Sequence, residues 1–101
     1  MRRYTTPTHT FTVPFDTVII KSMNIIYSQN DIPVVTKEIK DCECNGNTIK
    51  VQLTQEETAM LDCKKHFAEV QIHALTVTGE VIASDPYKIP VKKCFAKEVL
   101  E

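Results

Sequence analysis

From Lys64 to Lys92, KKHFAEVQIHALTVTGEVIASDPYKIPVK, apolar and polar residues alternate with a period of two and turn back at Thr78-Gly79. Val70, Ile72 and Ala74 fall on one face, with Glu69, Gln71 and His73 opposite, which predicts a long β-hairpin of half-buried strands. A two-residue Thr78-Gly79 loop sets Ala74 against Ala83, Thr76 against Val81 and Leu75 against Ile82. The face away from the core then ends in Leu75, Val77 and Ile82. That apolar group is a candidate protein interface. Pro86 and Pro90 bracket Tyr87-Lys88-Ile89, and Val91 to Phe95 reads as an extension of this last strand, at an edge where proline is tolerated.

The residues before the hairpin read as shorter strands. Phe11 and Val13 share a face of a first strand flanked by Pro7 and Pro14, again suiting an edge. Val18 to Ser28 is rich in β-branched residues and polar on neither face, the pattern of a central strand or a local bulge. Gln29-Asn30-Asp31 turns the chain into a third strand, Ile32 to Lys37. Asn45-Gly46 marks a tight hairpin, and as a two-residue loop it places Cys42 opposite Ile49 and Asp41 opposite Lys50. Thr54 and Glu57 form a capping box, predicting a helical turn over about Gln55 to Leu61 with Met60 and Leu61 turned inward. The sum is an all-β chain, an immunoglobulin-like β-sandwich of about seven or eight strands with one short helical turn. Residues 1–101 form a single domain, with a flexible N-terminal arm over about 1–8 and a C-terminal tail over about 96–101.

Composition narrows the function classes. The chain has 101 residues, 43% of them hydrophobic, and 12 basic against 13 acidic residues give a net charge of −1. That balance offers no basic excess for a nucleic acid, and Arg2-Arg3 and Lys92-Lys93 read as solvated ends. No apolar run reaches the ~18 residues of a membrane span. Met1 to Thr6 is basic without the apolar segment of a secretory signal, so the chain is expected in a cytoplasm. In that setting Cys42, Cys44, Cys63 and Cys94 are expected as free thiols.

Each candidate chemistry meets a simpler reading. Cys42, Cys44, Cys63 and His66 could supply a Cys₃His zinc set. A Cys-x-Cys pair on one strand is not the Cys-x₂-Cys knuckle of zinc folds, and the hairpin register gives Cys42 a core position. Cys63 lies three residues before His66, a spacing that would suit a thiol and its base, but no glycine-rich turn offers an oxyanion site. His9 and His73 alternate with apolar neighbours and read as surface or hydrogen-bonded structural residues. Glu56 and Glu57 are adjacent on a helix and do not converge. No cofactor, metal or catalytic residue is expected.

Thr6-Pro7-Thr8-His9-Thr10-Phe11, Pro14-Phe15-Asp16 and Val51-Gln52-Leu53-Thr54-Gln55-Glu56-Glu57-Thr58 carry a resemblance, followed by Val70-Gln71-Ile72, Leu75-Thr76, Gly79-Glu80 and Ala83-Ser84-Asp85. The chain resembles small uncharacterised proteins of phages and prophages of gut Firmicutes. Its stretch from Thr48 to Val91 is similar in layout to the N-terminal immunoglobulin-like domain of phage upper baseplate proteins. The resemblance implies a virion tail or baseplate module without enzymatic activity, assembling with copies of itself or with other virion proteins. The alternative it leaves is a phage-encoded protein that binds and inhibits a host factor. Host cytoplasm is the expected place of synthesis, and the virion the destination if the role is structural.

Overall fold

A computed structural model describes residues 1–95 and 98–100 of the chain. Eight strands form two antiparallel sheets: β1 Thr8–Thr12, β2 Ile20–Gln29, β3 Ile32–Glu38, β4 Cys42–Asn45, β5 Thr48–Gln52, β6 Phe67–Thr76, β7 Val81–Ala83 and β8 Tyr87–Pro90. One sheet has the order β1-β5-β4, the other β3-β2-β6-β7, with β8 also paired to β6. The sheets face each other as a sandwich. In immunoglobulin lettering the order is B-E-D against C′-C-F-G, the expected architecture, with strand G divided into β7 and β8.

The predicted helical turn is α1, Gln55–Met60, and its capping box forms as read: Thr54 accepts from the Glu57 amide, and Glu57 accepts from the Thr54 amide. Leu61 is fully buried, while Met60 points outward at 59% exposure. Three 3-10 turns accompany α1, at Thr17–Ile19, Ile39–Asp41 and Cys63–Lys65. β2 is both central and bulged. It lies between β3 and β6, with register shifts at Ile20/Ser22 and Tyr27/Ser28. Those shifts explain why neither of its faces reads as cleanly polar.

Both hairpins differ from the expected register. Asn45 pairs with Thr48, so the loop is Gly46-Asn47, with Gly46 at φ 58° where a type II′ turn wants glycine. Cys42 therefore faces Val51 rather than Ile49, and Glu43 rather than Asp41 faces Lys50. A two-residue shift preserves the faces, and Cys42 stays packed against the core. At the second hairpin the Thr76 amide bonds the Glu80 carbonyl at 2.8 Å, and the Thr76 hydroxyl accepts from the Glu80 amide. The loop is Val77-Thr78-Gly79, three residues long, with Gly79 at φ 90°. This one-residue shift turns β7 over. Val81 lies opposite Leu75, and Ile82 opposite Ala74 on the core side.

The core is a single cluster between the sheets, centred on Ile25, Tyr27, Ile49, Val51, Val70 and Leu61. Val91 to Phe95 does not continue β8 as a strand. Instead Lys92 forms an isolated parallel bridge with Arg2, and the first residues are bonded there and to α1, Thr5 exchanging hydrogen bonds with Thr58. Of the expected tail, residues 96, 97 and 101 lie outside the described residues; Leu100 is held by both ends of the Gln55 amide.

Candidate functional site

The expected interface of Leu75, Val77 and Ile82 is divided between two surfaces. Along β6, alternation puts Ala74 and Thr76 in the core and Leu75 on the outer face of the larger sheet. Val81 stands opposite Leu75, and the Val77 amide bonds the Ile19 carbonyl at 2.8 Å. Val77 and Val81 are each 63% exposed, and Val18 beside Ile19 is 77% exposed. These residues make an apolar end to the outer face. Ile82, carried to the other face by the three-residue loop, is half-buried and packs against the core.

Ile82 instead lines a lateral cleft of about 240 Å³ with Val13, Phe15, Ile72, Ser84 and Tyr87. The cleft exists because three strands are laid over a sheet one strand wider. β1 is the edge of the smaller sheet, and Phe11 meets Tyr87 of β8 at 5.4 Å between ring centroids. The Val13 amide bonds Asn47 and the Leu53 amide bonds Pro7, in the same register as β1 and β5. His9 and Phe11 therefore spend their backbone groups on β5, and those of Thr8, Thr10 and Thr12 face out from the edge. In a full immunoglobulin sheet another strand lies on that side of strand B. Here no strand among the described residues takes that place, above apolar side chains. The sequence signal for it was the pair of prolines flanking β1.

A polar cluster lies deeper. The Nδ1 of His9 and the hydroxyl of Tyr27 are 2.6 Å apart. Burial, and then the positive charge of the chain's amino group, hold His9 below its ordinary value. Burial pushes the Tyr27 phenol well above its own, with the neighbouring Cys42 and Glu57 adding to the shift. Next to them the Lys37 ammonium donates to both oxygens of Glu57, at 2.8 and 3.0 Å. The Cys42 thiol donates to the Glu38 carbonyl and is pushed up to about 11, chiefly by burial. A neutral imidazole bonded to a protonated phenol is a structural bridge between sheets, and a thiol held protonated is a weak nucleophile. His9 is thus a half-buried, hydrogen-bonded residue; His73 is exposed.

The four cysteines are free. Among the described residues no group of three or more His, Cys, Asp or Glu side chains is placed to hold a metal ion, and the bond between Cys63 and His66 runs from the His66 amide to the Cys63 carbonyl at 3.2 Å, not between thiol and imidazole. Among the same residues no helix is long and apolar enough to cross a membrane. Compared with known proteins, the chain matches no protein-family model, no curated protein and no solved structure.

Proposed function

We propose that this chain is a non-enzymatic β-sandwich module of a phage or prophage, carried on the virion tail or baseplate and working through protein–protein assembly. The observation that carries the reading is the open edge of β1 above the apolar cleft of Phe15, Ile82 and Tyr87. An extended segment of a neighbouring virion protein fits this place. Its backbone would pair with Thr8, Thr10 and Thr12 while alternate apolar side chains filled the cleft, the mode of strand addition. At about 240 Å³ the cleft suits a few side chains of one segment and not the face of a second sheet. The apolar end at Leu75, Val77 and Val81 supplies a second contact. The resemblance to phage proteins supports the assignment to a virion.

Mass spectrometry of virions purified from an induced lysogen tests the reading. The chain is expected at a fixed ratio to the tail proteins. Thr10→Lys, at the exposed centre of the edge, is expected to lower that ratio without unfolding the protein. Abundance in the lysate together with absence from virions sinks the reading and favours the host-factor alternative.

A further inference from the structure

Two basic doublets far apart in the chain meet in space. Arg2 and Lys92 form a parallel bridge: the Arg3 amide bonds the Lys92 carbonyl at 3.0 Å, and the Lys92 amide bonds the Met1 carbonyl at 2.7 Å. The Arg2 guanidinium reaches on to the Lys93 carbonyl at 3.1 Å. A third doublet, Lys64-Lys65, comes alongside because the Val91 amide bonds the His66 carbonyl at 2.8 Å. Three neighbouring segments, 1–3, 64–66 and 91–93, thus carry Arg2, Arg3, Lys64, Lys65, Lys92 and Lys93, six of the chain's 12 basic residues, and no carboxylate. Arg3 turns inward to the Ala59 carbonyl; the other five are exposed. The two ion pairs found among the described residues, Lys37–Glu57 and Lys40–Glu38, involve none of the six. The concentration of charge is felt locally: burial first, then Lys92 and Arg2, lower the Met1 amino group below its ordinary value.

Aromatic rings border the same end. Phe67 follows the Lys64–His66 segment, is 40% exposed, and has the Lys88 ammonium 4.8 Å from its ring centroid. Phe95 follows Lys93, is 90% exposed, and has the Lys93 ammonium 5.5 Å from its ring. Exposed phenyl rings interleaved with unpaired cations are the elements of a single-strand nucleic-acid surface, in which cations follow the phosphates and bases stack on the rings. A duplex hides its bases from such rings, whereas a single strand offers phosphates and base faces together. We propose that this basic end binds single-stranded nucleic acid, with phosphates along Arg2, Lys64, Lys65, Lys92 and Lys93 and bases on Phe67 and Phe95. The chain's net charge of −1 gives no hint of this, because it averages over acidic residues elsewhere on the molecule. The inference stands apart from the virion reading.

Fluorescence anisotropy with labelled oligo-dT is the test, with a DNA duplex and heparin as comparators. Binding to oligo-dT is expected at about 50 mM salt, with log K falling against log salt with a slope of about −3.5 for five contacted phosphates. Arg2→Glu with Lys92→Glu is expected to lower affinity for both oligo-dT and heparin at least tenfold. Phe95→Ala, at a side chain with almost no packing to lose, is expected to weaken oligo-dT roughly tenfold and leave heparin unchanged. Two outcomes overturn the proposal. One is no binding at low salt. The other is equal affinity for oligo-dT, duplex and heparin that Phe95→Ala does not alter, which marks a general polyanion surface.

Discussion

The imidazole of His9 on β1 and the phenol of Tyr27 on β2 share a 2.6 Å hydrogen bond across the interior of the sandwich, tying the edge of one sheet to the centre of the other. Burial lowers the histidine's pKa, so folding favours the neutral ring. Between the folded value and the unfolded value near ~6.5, the unfolded chain binds more protons, and stability rises with pH. Acidification from pH 7 is therefore expected to destabilise the protein, starting near pH 6.5 and ending where the folded imidazole itself titrates. Urea melts across this range check it. His9→Gln should be less stable at pH 7 yet show a flatter dependence from pH 7 to 5.5. An unchanged slope removes His9 as the cause.

Glu57 serves α1 and β3 together. It closes the capping box with Thr54 and receives the Lys37 ammonium, whose side chain is only 11% exposed. Removing the carboxylate leaves a nearly buried ammonium without its partner and takes the acceptor from the Thr54 amide at the helix cap. Glu57→Ala is expected to cost about 2–3 kcal/mol, and Lys37→Met markedly less, since methionine fills the same space with no charge to satisfy. Chemical denaturation of both single variants and the double variant gives the coupling. Equal costs for the two single variants would mean that the carboxylate gains nothing from the pair.

The strands were legible because half-buried sheets write a period of two into the sequence. β1 and β6 show that alternation, β2 is marked by its run of β-branched residues, and α1 by the capping box at Thr54 and Glu57. Turn lengths did not. Asn45-Gly46 and Thr78-Gly79 each contain the glycine that takes the positive φ, but glycine alone does not say at which loop position it sits. At the first hairpin the error was two residues and harmless to the faces. At the second it was one residue, and it moved Ile82 from the supposed interface into the cleft. Surfaces assembled from distant segments left no local signature. The pairing of Arg2 with Lys92, and the opening beside β1, follow from sheet order, which single-strand periodicity does not encode.

The register of β6 and β7 yields a sharp contrast between adjacent residues. Ile82 is packed against the core, and Val81 is 63% exposed. Ile82→Lys is expected to cost about 2 kcal/mol or more through lost apolar burial, and Val81→Lys to stay within about 0.5 kcal/mol. Thermal melts of the two variants decide it. The reverse order would restore the two-residue loop and return Ile82 to the outer face.

Thiol reactivity separates the paired cysteines of β4. Cys42 is half-buried, donates to the Glu38 carbonyl and is pushed up to about 11, while Cys44 is exposed. At pH 8 little of Cys42 is thiolate, and its sulfur is partly covered. Iodoacetamide followed by peptide mapping is expected to modify Cys44 well before Cys42. Equal rates would place Cys42 outside the core.

Proline at matched positions probes whether the β1 edge is free. Thr10 and Lys50 are direct partners in the sheet, both with exposed side chains. In the alternation of this ladder the Thr10 amide points away from β5, whereas the Lys50 amide points to β4, where Lys50 pairs with Glu43. Thr10→Pro removes no ladder hydrogen bond and is expected to cost about 1 kcal/mol or less; Lys50→Pro breaks a bond inside the sheet and is expected to cost about 2 kcal/mol or more. Urea melts of the two variants measure the difference, and both side chains lost are solvent-facing, so the comparison isolates the backbone. Since strand addition would use the Thr10 amide, Thr10→Pro should also abolish assembly while leaving the isolated domain folded. Equal destabilisation by the two prolines would mean that Thr10 already has a partner, and the edge proposed for docking would be closed.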